Sequence, residues 1–168
     1  MNDKEVRELT RKISKVFDKW KDILGLGGHR FSLSFERSYC VNDSNVIAKV
    51  SPSWQYKNHH ITFFLPKIND LDTERELEEA VVHELVHILV HPISGDATVF
   101  SSQQEKTNFD EMVEFTTTSV SFALLWAYDA GEESAKKKLK KEKKDENRND
   151  GAGETGAASG SSDRVKGS

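Results

Sequence analysis

Val81-Val82-His83-Glu84-Leu85-Val86-His87-Ile88-Leu89 is the stretch on which the reading of this chain turns. On an α-helix of about 3.6 residues per turn, positions i and i+4 share a face, so His83 and His87 can hold one ion between them. Glu84 is then the neighbouring carboxylate. Two imidazoles and a carboxylate in the pattern His-Glu-x-x-His are what a zinc-activated water requires: zinc acidifies the water toward a pKa of about 7, and the Glu takes its proton and later passes it to the leaving amine. The flanks, Leu77-Glu78-Glu79-Ala80 before and Val90 after, leave the helix apolar almost all round. Such a helix belongs in a core, where three ionisable side chains are costly unless a cation compensates them.

The ends of this helix are legible. Thr73 followed by Glu76 fits a capping box, and Asp72, Glu74, Glu76, Glu78 and Glu79 put negative charge at the positive end of the helix dipole. Pro92 is expected to stop the helix and to turn His91 away from helical geometry. Three histidines stacked on one straight helix would span about 12 Å, too far for zinc–nitrogen bonds of about 2.0–2.1 Å, so His91 is expected at the pocket wall or helix end. A third ligand must come from elsewhere, and Thr107-Asn108-Phe109-Asp110-Glu111-Met112-Val113-Glu114-Phe115 offers two glutamates. Asn108 and Glu111 have the form of an N-cap and its N3 partner, which gives Glu111 a structural explanation. Glu114 lacks one, lying at the start of a largely small and apolar helix, and is preferred as the ligand; Glu111 is the alternative.

The stretch VVHELVHIL resembles the active-site helix of the zincin metallopeptidases. A two-His, one-Glu set with the Glu on a later helix is similar to the gluzincin arrangement, and the short layout looks like small zincin-like domains of phages and bacteria. The resemblance covers roughly residues 3 to 128. It implies Zn²⁺ on His83, His87 and Glu114, Glu84 as general base, and a protein or peptide as substrate.

Around this helix the pattern is α+β. Val6, Leu9, Ile13, Val16, Phe17, Trp20 and Ile23 recur at spacings of three and four, predicting an amphipathic helix over 5–24 that Gly25-Leu26-Gly27-Gly28 ends. Phe31-Ser32-Leu33-Ser34-Phe35 alternates as a half-buried strand; Val46 to Val50, with a possible continuation through Trp54 and Tyr56, and Ile61 to Leu65 predict two more. The expected fold is an N-terminal helix, a small antiparallel sheet of about three strands, the motif helix and a third-ligand helix, with helices on one sheet face. In zincins the strand before the motif helix often lines the cleft, and the resemblance gives that part to Lys57–Leu65. His60 is the candidate for stabilising an oxyanion, with His59, Tyr56 and Tyr128 as alternatives. His29 carries no signal.

The 168 residues, 36% hydrophobic, suffice for one compact domain. It is expected over residues 1–130, followed by a disordered tail over 131–168 that is Lys-rich and then Gly/Ser-rich. Residues 136–150 carry seven Lys and one Arg against four acids, net +4, and residues 151–168 balance; with a total of −4, residues 1–135 carry −8. The Lys run from Lys136 to Lys144 suits nucleic acid or another anionic partner, or a solvated, frayed helix extension that keeps the C-terminus soluble or folds back on the acidic body. Cys40 is the only cysteine, excluding a disulfide framework and a cysteine zinc site. The first residues lack an apolar signal core and no run is long enough to span a membrane, so a cytoplasmic location is expected. Besides the zinc peptidase, two other functions fit: a catalytically latent zinc-binding module for regulation or interaction, and a DNA-associated protease resembling the SprT type, tethered by the Lys-rich tail.

Overall fold

The structure is a computed structural model that describes residues 1–41, 43–53, 57–94 and 102–149. Among these the fold is α+β, with four α-helices and one three-stranded mixed sheet. Helix α1 spans Asp3–Ile23; Asn2 caps it, accepting from the backbone N–H of Lys4 and Glu5 while Glu5 reaches back to the Asn2 N–H. Its buried stripe is Ile13, Phe17 and Trp20. Gly25 ends it with φ of 69°, a left-handed conformation that costs a glycine nothing.

Strands β1 (Arg30–Glu36), β2 (Ala48–Ser53) and β3 (Asn58–Phe64) lie in the order β1-β3-β2. β3 pairs parallel with β1, Leu33 opposite Ile61, and antiparallel with β2, Val50 opposite Ile61. The expected all-antiparallel sheet is therefore corrected to a mixed one. The alternation of β3 puts His59, Ile61 and Phe63 in the core, with His60 on the opposite face.

A short helix absent from the sequence expectation, α2 (Leu65–Asn69), follows directly, with Pro66 in its first turn, where a missing N–H does no harm, and Leu65 and Ile68 buried. Helix α3 (Glu74–Ser94) carries the His-Glu-x-x-His motif. Its capping box is present: Glu76 N–H donates to Thr73 Oγ1 at 3.2 Å, and Thr73 N–H to Glu76 Oε2 at 3.0 Å. Contrary to expectation the helix does not stop at His91. Its backbone runs through Pro92 to Ser94, staying helical for two residues past a proline that has no N–H to give the ladder. The side chains of 91–94, and with them the expected place of His91, lie outside the described residues, as do Trp54 and Tyr56.

α3 is the central buried element, with Val81, Val82, Leu85, Val86 and Ile88 all at 0% exposure, each side chain contributing about 1.5–3 kcal/mol of transfer free energy. It packs against α1 and β2. A polar tie fastens α1 to it: Glu78 accepts from Lys19 Nζ at 2.7 Å and from Trp20 Nε1 at 2.6 Å.

Helix α4 (Gln103–Asn149) starts six residues earlier than expected; Ser102 caps it, its Oγ accepting from Glu105 N–H at 3.2 Å. Asn108 thus lies inside the helix, and the capping role assigned to Asn108 and Glu111 is withdrawn. The chain divides into two compact units, residues 1–126 and 127–168. In the second, residues 127–149 are helical, which corrects the expectation of disorder for 131–149. The Glu132–Lys136 and Glu133–Lys137 pairs, at 3.1 and 3.6 Å, have the i,i+4 order that supports an exposed helix. Residues 150–168 lie outside the described part. No helix among the described residues is long and apolar enough to cross a membrane.

Candidate metal centre

His83 and His87 occupy one face of α3, toward α4, and Glu114 projects to them from the fourth turn of α4. His83 Nε2 lies 2.9 Å from Glu114 Oε1, His87 Nε2 lies 3.2 Å from Glu114 Oε2, and the two Nε2 atoms are 3.0 Å apart. The imidazole planes cross at 84° with centroids 4.6 Å apart. Both nitrogens thus converge on one point from different directions. All ligand atoms of this trio lie within 4.8 Å of one another, and among the described residues His83, His87 and Glu114 form the group that could hold a metal ion.

The donor set fits a divalent cation. Tetrahedral zinc with bonds of about 2.0–2.1 Å would set its ligand atoms about 3.3 Å apart, close to the separations found here. Neutral imidazoles and a carboxylate are ordinary zinc ligands, and three protein ligands leave a fourth position for water or substrate. Glu111, the alternative ligand, is exposed and outside the group. Glu114 is preferred by geometry rather than by the capping argument: His83 and His87 lie one turn apart, and its two oxygens reach both.

Glu84 is only 7% exposed and points from another face of α3 toward β2. Burial pushes its carboxyl up to about 8, the charge of Glu114 adds to the rise, and a hydrogen bond from the Val50 backbone N–H opposes it. A cation between Glu114 and the histidines would act in the opposite direction and favour the ionised carboxylate.

A cavity of about 850 Å³ opens over the trio. Val46, Ile47, Ala48, Lys49 and Val50 form one wall, Glu76, Glu79, Ala80, His83, Glu84 and His87 of α3 the floor, and Val113, Glu114, Thr118, Ser121, Phe122 and Leu125 of α4 the other wall. The strand at the cleft is therefore β2. Lys57–Leu65 was the expectation, but β3 is flanked on both sides, its peptide groups engaged by β1 and β2. The β2 register explains the tie to Glu84. Ile47 C=O accepts from Phe64 N–H at 3.0 Å, so odd positions of β2 face β3 and Ala48 and Val50 turn their peptide groups to the outer edge.

His60 does not reach the cleft. It lies on the open sheet face, Nδ1 2.8 Å from Ser32 Oγ and Nε2 3.1 Å from Ser34 Oγ. His59 is buried in the core against His29, ring nitrogens 2.7 Å apart. Tyr128 donates to Glu132 at 3.0 Å within the second unit. None of the three lines the cavity. Sequence reasoning passed over Thr117, whose buried hydroxyl lies 3.3 Å from His87 Nδ1. Its spacing from Glu114, i+3 on one helix face, was the available signal.

No protein-family model, curated protein or solved structure matches the chain. Fold and site by themselves define an α+β domain with a cleft-borne His/His/Glu group able to hold a metal ion.

Proposed function

We propose that this protein is a zinc-dependent peptidase of zincin type, resembling gluzincins, that hydrolyses peptide bonds with Glu84 as general base. The observation that carries the reading is the convergence of His83, His87 and Glu114 at the floor of a cleft that also contains the Glu84 carboxyl. Zinc held by the trio would supply the Lewis acidity to polarise a carbonyl and acidify a water. Glu84 is the carboxyl in the cleft that takes up a proton and gives it to the departing amine. The outer edge of β2, with the peptide groups of Ala48 turned into the cleft, suits an extended peptide laid alongside as a further strand. An acidic lining (Asp43, Glu76, Glu79) with Lys49 as the basic residue favours substrates that are not themselves acidic near the cleaved bond.

The test is Glu84→Gln. Zinc content should be unchanged while cleavage falls by at least a hundredfold, a loss in the range general-base removal causes. Substrates are found by incubating the zinc-loaded protein with a proteome and sequencing the new termini. Turnover by Glu84→Gln equal to that of the wild type ends the general-base assignment.

One observation favours a second reading, a zinc-binding module whose chemistry is latent. The hydrogen bond from Val50 N–H gives Glu84 a structural task, joining α3 to β2, independent of proton transfer. An absence of new termini from any proteome, with zinc bound, selects the module. A DNA-associated protease rests on the Lys-rich segment; it requires salt-sensitive DNA binding that deletion of residues 136–168 removes.

A further inference from the structure

We propose that Thr117 is the positioning residue of this metal site, holding the His87 ring through Nδ1 so that Nε2 faces the ion; this rests on reading His83, His87 and Glu114 as ligands. Three observations carry it. First, Thr117 is fully buried, yet its hydroxyl spends its hydrogen bond on His87 Nδ1, at 3.3 Å and thus at the long end of the range. Second, other hydroxyls of α4 do otherwise. Thr107, Thr116 and Ser121 donate to the carbonyl four residues back, at 3.0, 2.8 and 2.7 Å, the default for a helical Ser or Thr. Thr117 has the same local option and is turned toward the imidazole instead. Third, Thr117 lies three residues after Glu114, on the same side of α4. One helix face therefore presents a ligand to both Nε2 atoms and a support to the far side of the second ring.

A hydroxyl suits this place because it both donates and accepts. With the site empty, His87 Nε2–H can donate to Glu114 Oε2, and Thr117 O–H then donates to Nδ1. When Nε2 gives its lone pair to a metal the ring proton sits on Nδ1, and Thr117 Oγ1 accepts it. The ring plane is kept in both states, so His87 needs no reorientation on loading. Valine at this position keeps the shape and loses both bonds.

The experiment is zinc affinity by competition with a chromophoric chelator, measured on the full chain for wild type, Thr117→Val, Thr117→Ser and Thr117→Ala. The His87 Nδ1–H signal is followed in parallel by ¹⁵N–¹H NMR of the zinc-loaded proteins. Loss of an outer hydrogen bond to a ligand costs about 10–100-fold in metal affinity. Thr117→Val is expected to lose that much and its slowly exchanging Nδ1–H signal, and Thr117→Ser to keep the signal and bind within about threefold of wild type on the same scale. If Thr117→Val does not fold, Thr117→Ala against Thr117→Ser carries the comparison. Wild type that binds zinc beside a Thr117→Val that binds as tightly overturns the role of Thr117 and leaves the metal site standing. Equal losses in Thr117→Ser and Thr117→Val overturn it too, because the hydroxyl then does nothing the methyl does not. Wild type that takes up no zinc overturns the metal site itself.

Discussion

The indole Nε1 of Trp20 lies 2.6 Å from Glu78 Oε1, the same oxygen that accepts from Lys19 Nζ at 2.7 Å. This carboxylate joins α1 to α3, and the two bonds have a pH signature. Burial alone would raise the Glu78 pKa, but the hydrogen bonds from Lys19 and Trp20 and the charges of Lys19 and Arg75 outweigh it and hold the group below its ordinary value of 4.5. A carboxyl depressed in the folded state adds stability above its unfolded pKa, and that stability is lost as pH falls through the folded value. Wild type should therefore lose stability below about pH 4.5 more steeply than Glu78→Gln, as read from urea midpoints across an acid series. Parallel curves for the two proteins would mean that the contact is not maintained in solution.

The motif helix is also the core. Leu85, between the two histidines in sequence, is 0% exposed, and Leu85→Ala should cost about 2–5 kcal/mol in urea unfolding. A cost under about 1 kcal/mol would show that α3 is not enclosed as described.

Thr73 and Glu76 close the start of α3 reciprocally. Thr73→Ala should lower stability by about 1 kcal/mol, whereas Thr73→Ser, which keeps the oxygen, should lie within a few tenths of wild type. Equal losses in both would assign the effect to the methyl group instead of the cap.

Much of this was readable in advance, and the exceptions share a cause. Helical periodicity placed α1, and period-two alternation placed β1, because burial of one face is written into local spacing. Which strand lies beside which is not local. An antiparallel sheet was expected with no strand order assigned, but β3 sits between the others and runs parallel to β1, and the cleft strand is β2 and not β3. Pro92 pointed to an earlier stop than α3 makes, because a proline disfavours helix without forbidding it and the backbone carries on to Ser94. At the site, His83, Glu84 and His87 announced themselves by i,i+4 spacing. Glu114 was preferred over Glu111 on a capping argument that the Ser102 cap removes, so the choice outlived its reason. Thr117 escaped notice because a hydroxyl's target, the helix's own carbonyl or a side chain on another helix, is set by tertiary packing.

The most direct measurement is zinc per chain, by elemental analysis of purified protein, for wild type beside His83→Ala, Glu111→Ala and Glu114→Ala. Wild type and Glu111→Ala should each carry one zinc, retained through dialysis, while His83→Ala and Glu114→Ala lose it. Zinc held by Glu114→Ala and lost from Glu111→Ala, or no zinc in wild type, would contradict the metal site on His83, His87 and Glu114.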